Sequence, residues 1–142
     1  MDFNFIDSSK IVSTNLSYKD FDSLVMRNGY VLEINGFLHN YFDWKSVQCW
    51  SLDYYEYSSE QLSTLFLKSK PYAEALSFFI RLHQGEPIIK INSKDLASML
   101  EDLCFETGMG WEGISTDGKY IIEFTDSFEH LVKSNFRFFE QE

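Results

Sequence analysis

The chain has 142 residues, 44% of them apolar and 24% charged, with only 7 Gly and 2 Pro, proportions that fit one folded domain over residues 1–142 and exclude a disordered or low-complexity chain. Its 12 basic and 22 acidic residues leave a net charge of -10, which disfavours nucleic acid or an anionic membrane as partner and suits a basic protein. The start, Met-Asp-Phe-Asn-Phe-Ile-Asp, has no basic leader and no long apolar run, and Cys49 and Cys104 match no metal or disulfide spacing, so a cytoplasmic location with reduced thiols is expected.

Phe3 and Phe5 alternate with polar neighbours and predict a short first strand. Ser17, with Asp20 three positions on, forms a capping box ahead of Phe21, Leu24 and Val25, which predicts a helix over 18–28. Tyr30, Leu32 and Ile34 lead to Asn35-Gly36, a dipeptide suited to a tight type I′ turn, with Phe37 on the return strand. Residues 41–57 carry seven aromatics and almost no turn former, and are predicted to be mostly strand.

Ser58 with Gln61 marks another helix start, with Leu62, Leu65 and Phe66 as its buried stripe. Pro71 suits the first turn of a following helix in which Leu76, Phe79, Ile80 and His83 share a face, ending near Gln84 before Gly85. Residues 87–91 (PIIKI) read as a strand, after which Asn92 or Ser93 caps a helix carrying Leu96, Met99, Leu100 and Leu103 and ending at Gly108. Residues 111–115 and 119–125 flank Asp117-Gly118, a second hairpin dipeptide, where positive φ is expected at both positions. Asp126-Ser127 then caps a short helix through Phe128, Leu131 and Val132, and residues 135–139 return as an edge strand. These elements predict a two-layer α+β fold, a mostly antiparallel sheet packed by three to five helices.

No motif assigns a catalytic residue, a cofactor or a metal. Glu101, Asp102 and Glu106 belong to the solvated side of a helix, where carboxylates are all ionised rather than split into acid and base. Asp117, Glu123 and Asp126 could be imagined around a metal, but the calcium-loop spacing is absent and the hairpin already accounts for Asp117. Gly108-Met109-Gly110-Trp111-Glu112-Gly113 contains GxGxxG, yet it follows a helix and precedes a strand, the reverse of what a dinucleotide site needs. His39, His83 and His130 fall in no ligand pattern, and neither cysteine has a histidine near it in sequence.

Aromatics make up 18% of the chain. Asp43, Asp53 and Glu56 interleave with Tyr41, Trp44, Trp50 and Tyr55, and aromatic anchors flanked by carboxylates suit an interface with a basic protein. A second acidic group, Glu112, Glu123 and Asp126, surrounds the 117–118 hairpin. Residues 1–71 hold 9 acids and 6 bases (-3) and residues 72–142 hold 13 and 6 (-7), so the C-terminal group is favoured for steering. Exposed aromatics would serve a homodimer equally well.

The tail, WEGISTDGKYIIEFT running into Asp126-Ser127-Phe128-Glu129-His130-Leu131, resembles the strand and Ser-Phe-Glu helix of SUKH-type immunity proteins. The Leu-Pro element such proteins often carry has no counterpart, since Pro71 and Pro87 follow Lys70 and Glu86, and the broader immunity class of contact-dependent and polymorphic toxin systems carries the expectation. That resemblance implies a cytoplasmic inhibitor, not an enzyme, which occludes the basic active site of a cognate toxin, a nuclease in the first instance. An acidic adaptor domain with another partner is the alternative, followed by an enzyme whose site assembles only in three dimensions.

Overall fold

The computed structural model describes residues 6–33, 41–74, 77–82, 88–107, 110–126 and 128–137. In chain order the elements are β1 (Ile11–Ser13), α1 (Tyr18–Arg27), β2 (Leu32–Glu33), β3 (Tyr41–Phe42), β4 (Trp50–Asp53), α2 (Ser59–Leu67), α3 (Lys70–Glu74), β5 (Ser77–Leu82), β6 (Ile89–Asn92), α4 (Ser93–Ala97), α5 (Asp102–Thr107), β7 (Trp111–Ser115), β8 (Ile121–Phe124) and β9 (Leu131–Ser134). Seven strands form one sheet in the order β1-β6-β5-β7-β8-β9-β4, every neighbouring pair antiparallel, and β2 pairs with β3 separately. The architecture is the α+β fold expected.

Period-two alternation divides the central strands between two apolar clusters. Phe78, Ile80, Leu82, Trp111, Ile122, Phe124 and Val132 meet Leu62 and Phe66 of α2, Leu96 of α4 and Leu103 of α5. The opposite face of the sheet gives Phe79, Ile114 and Ile121 to Phe21 and Val25 of α1 and to Leu32 and Phe42 of the small hairpin. Trp111 is fully buried; its ring stacks on Phe124 at 5.0 Å and its indole N–H donates to Leu100 O at 2.9 Å, so the polar edge of the largest core residue is satisfied.

Where local chemistry is self-contained, expectation and structure agree. Ser17 and Asp20 form the reciprocal capping box of α1, and Ser58 and Gln61 that of α2. Asn92 caps α4 through Asp95 N at 2.8 Å. The β7–β8 hairpin stands where expected, but its turn is different: Gly118 has φ +79° while Asp117 is not in the left-handed region. A turn through Thr116 and Asp117 followed by a left-handed glycine replaces the type I′ form, held by Gly118 N to Ser115 O at 2.8 Å and Lys119 N to Asp117 Oδ1 at 3.1 Å.

Four expectations are corrected. Residues 77–82 are the interior strand β5 and not part of a helix from Pro71, where α3 is Lys70–Glu74. A strand buried on both faces is a continuous apolar run, in which helical spacing is easily matched by chance. Pairing with both β6 and β7 decides the outcome. The helix expected from Asn92 to Gly108 is divided into α4 and α5, because Ser98 Oγ donates back to Asp95 O at 2.8 Å and Met99 N closes a three-residue turn on Leu96 O, a local alternative to helix continuation.

Between Tyr41 and Tyr57, only β3 and β4 are strand; Asp43 and Asp53 instead cap a turn and a 3-10 helix over Tyr54–Glu56. In the tail, Asp126 Oδ1 accepts from Phe128 N and Glu129 N, but caps a turn and not a helix. His130 at φ +47° reverses the chain into β9, which lies between β8 and β4. The helix on which the tail resemblance drew is therefore replaced by a turn and the interior strand β9, and residues 135–137 of the expected edge strand are not in a strand. Phe3, Phe5, the Asn35-Gly36 turn, His39, His83, Gly85, Gly108, Ser127 and residues 138–139 lie outside the described residues.

Candidate functional site

Antiparallel register puts four charged residues in one row. Arg81 on β5 is opposite Glu112 on β7, Glu112 opposite Glu123 on β8, and Glu123 opposite Lys133 on β9. The sequence of signs across the sheet is plus, minus, minus, plus, with adjacent strands about 4.8 Å apart.

The β5–β7 end of the row is closed. Arg81 is fully buried; its Nε and Nη2 donate to Glu112 Oε1 at 3.1 and 3.0 Å, and Nη1 donates to Asp22 Oδ1 of α1 at 2.5 Å. The guanidinium also lies 4.5 Å from the Phe21 ring centroid. Glu112, equally buried, accepts from Phe42 N at 3.3 Å as well. Glu112 is thus the buried counter-charge of a core arginine, beneath the surface and not on it.

The β8–β9 end is open. A cleft of about 780 Å³ lies over it, with Glu33, Glu123, Asp126 and Glu129 as its acids and Tyr41, Phe42, Trp44 and Phe128 as its rings. Lys45, Lys133 and Thr125 complete the lining. Glu123 is only 7% exposed, and its Oε1 accepts from Trp44 Nε1 at 2.7 Å. Its carboxyl is pushed well above the usual range, to about 8, first by burial and then by Glu112, against the opposing pull of the indole bond and Lys133. Lys133 itself pairs with Glu129 at 3.2 Å. At the mouth, Phe128 is 93% exposed, on a turn whose geometry Asp126 holds.

Of the residues expected at an interface, the structure brings Tyr41, Trp44, Glu123 and Asp126 into this cleft. Asp43, which precedes Trp44, accepts from Lys45 N at 3.1 Å and shapes that wall. Asp53 and Tyr55 form a second group with His130: Asp53 Oδ1 is 2.7 Å from His130 Nδ1, and the Tyr55 ring stacks on the imidazole at 4.4 Å and 11°. Glu56 is exposed at the end of the same 3-10 helix. The turn 126–130 links the two groups, His130 N donating to Asp126 O.

The sequence reading gives no place at the interface to Arg81, Asp22, Phe128, Glu129 or His130. Arg81 did carry a signal, a lone charge inside the apolar run SFFIRL, which demands a buried counter-charge. Phe128, a large ring between turn-forming neighbours, was assigned to a helix stripe that does not exist.

Burial raises the Cys104 thiol to about 12, and Cys49 is also raised, so neither is a ready thiolate. Among the described residues no three His, Cys, Asp or Glu side chains are grouped to hold a metal ion, and no helix is long and apolar enough to cross a membrane. Comparison with protein-family models, curated proteins and solved structures returns no match.

Proposed function

We propose that this chain is a protein inhibitor, an immunity protein of the cytoplasm that binds and neutralises a basic toxin, with nuclease activity as the leading case. The observation that carries the reading is the cleft, in which four acids outnumber two lysines and a 93% exposed phenylalanine stands at the mouth. Exposed rings beside carboxylates combine an anchor with long-range attraction for a cationic surface, and the net charge of -10 extends that attraction over the whole molecule. Nucleic acid, membranes and cofactors have no part in this proposal.

The interface we assign differs from the one read from sequence: Asp126, Glu129 and Glu33 steer, Phe128 and Trp44 anchor, and Glu112 supports from within. The test is surface-binding kinetics against the product of the gene adjacent to this one, at several ionic strengths. Neutralising Asp126, Glu129 and Glu33 together should lower the on-rate and flatten its salt dependence, and Phe128→Ala should raise the off-rate. Absence of binding to any neighbouring product, or binding indifferent to salt and to these changes, refutes the reading in favour of an adaptor with another partner.

One feature favours an enzyme as second reading: Glu123 lines a cleft, and burial together with Glu112 pushes its carboxyl up, as in a general acid. Its natural companion, Asp126, is engaged in capping the 126–129 turn, and the Asp53–His130 pair has no hydroxyl or thiol nucleophile bonded to it among the described residues.

A further inference from the structure

Glu123 presents an energetic problem that the fold does not resolve. Its Oε1 has the Trp44 indole, but Oε2 has no hydrogen-bond donor among the described residues. Both neighbours in its row are poor compensation: Glu112 repels it, and Lys133 is paired with Glu129. A buried carboxyl without a cation destabilises a fold. Glutamine here would accept the same indole bond with no charge, so packing does not explain the acid.

We propose that the cleft receives one arginine side chain from the basic partner, its guanidinium donating to Glu123 Oε2 and lying against the aromatic wall of Trp44 and Phe128. The inference deepens the inhibitor reading and rests on it for the source of the arginine. Three features select this occupant. The free acceptor is a single buried carboxyl oxygen, too few ligands for a metal ion among the described residues. The surrounding rings suit a planar, weakly hydrated cation better than a compact ammonium. Asp126 and Glu129 at the same cleft favour entry of a positive group over a neutral one.

The probe is N-acetyl-arginine amide, titrated into the full chain while the Trp44 indole N–H is followed by NMR, with the lysine and citrulline analogues in parallel. Arginine should give a saturable shift of that signal, lysine should bind several-fold more weakly, and citrulline, which is neutral, should give none. Glu123→Gln should weaken the arginine response at least tenfold while the Trp44 signal stays dispersed, showing an intact fold. Phe128→Ala, at a fully exposed position, should weaken it several-fold. No saturable shift, equal response to citrulline or lysine, or full binding by a folded Glu123→Gln variant overturns the proposal. Because no toxin is used, arginine binding without any neighbouring partner would refute the inhibitor reading alone. Partner binding indifferent to Glu123→Gln would refute the arginine subsite alone.

Discussion

The two ends of the Arg81–Glu112–Glu123–Lys133 row contain the same kinds of side chain in the same sheet, yet they are in opposite condition. At the β5–β7 end, α1 delivers Asp22 and the Phe21 ring onto Arg81, and each buried charge has a partner of opposite sign. At the β8–β9 end a cleft with aromatic walls lies over the row, and the one cation opposite Glu123, Lys133, is paired with Glu129. The closed end is architecture. The open end holds a carboxyl that serves stability poorly, and such a residue is better explained by what it binds.

This contrast can be broken at either end, and the largest effect belongs to the closed one. Arg81→Met leaves the buried Glu112 and the part-buried Asp22 without their cation and should destabilise the chain by about 3–5 kcal/mol, measured by denaturant unfolding. Adding Glu112→Gln to that variant should recover part of the loss, since the uncompensated charge causes most of it. A double variant no more stable than Arg81→Met alone would show that packing of the guanidinium, not charge, dominates.

Next comes the turn that joins the two strands bearing Glu112 and Glu123. Gly118 has φ +79°, and a β-carbon there would sit 2.1 Å from Asn28 Oδ1 at the end of α1. Gly118→Val should therefore destabilise by about 2 kcal/mol, combining left-handed strain with displacement of Asn28. Unchanged thermal unfolding would mean the turn relaxes without involving α1.

At the open end the sign reverses, and Glu123→Gln should stabilise. A carboxyl that binds its proton more tightly folded than unfolded makes stability fall as pH rises from the ordinary glutamate range through about 8. The melting temperature of the wild type should thus drop between pH 5 and pH 8.5, and Glu123→Gln should flatten that slope, with the gain largest at high pH. An identical slope in both would place the titration elsewhere, in the general repulsion of a chain carrying -10.

The smallest effect on stability is expected at the mouth of the cleft. Phe128→Ala removes a ring that is 93% exposed and should change unfolding by no more than about 0.5 kcal/mol, while partner binding suffers. A substantial loss of stability would mean that Phe128 is held by the fold and is not an anchor for a partner.

Sequence alone determined what depends on neighbours three or four positions apart: the capping boxes at Ser17 and Ser58, the Asn92 cap, the glycine of the 117–118 hairpin, and hence an α+β chain with a largely antiparallel sheet. Each is settled by hydrogen bonds within one turn. It also marked Trp44, Glu123 and Asp126, because aromatics and acids stand out in composition. Only the tertiary structure decided that residues 77–82 are an interior strand, that 131–134 returns as a strand after a left-handed His130, and that Glu112 and Glu123 belong to different environments. The physical reason is register: a strand takes its identity from the partners on either side, and a carboxylate takes its role from whichever charge pairing sets opposite it. In this chain Arg81 is opposite Glu112, 31 positions away in sequence, and that single pairing leaves Glu123 facing the cleft.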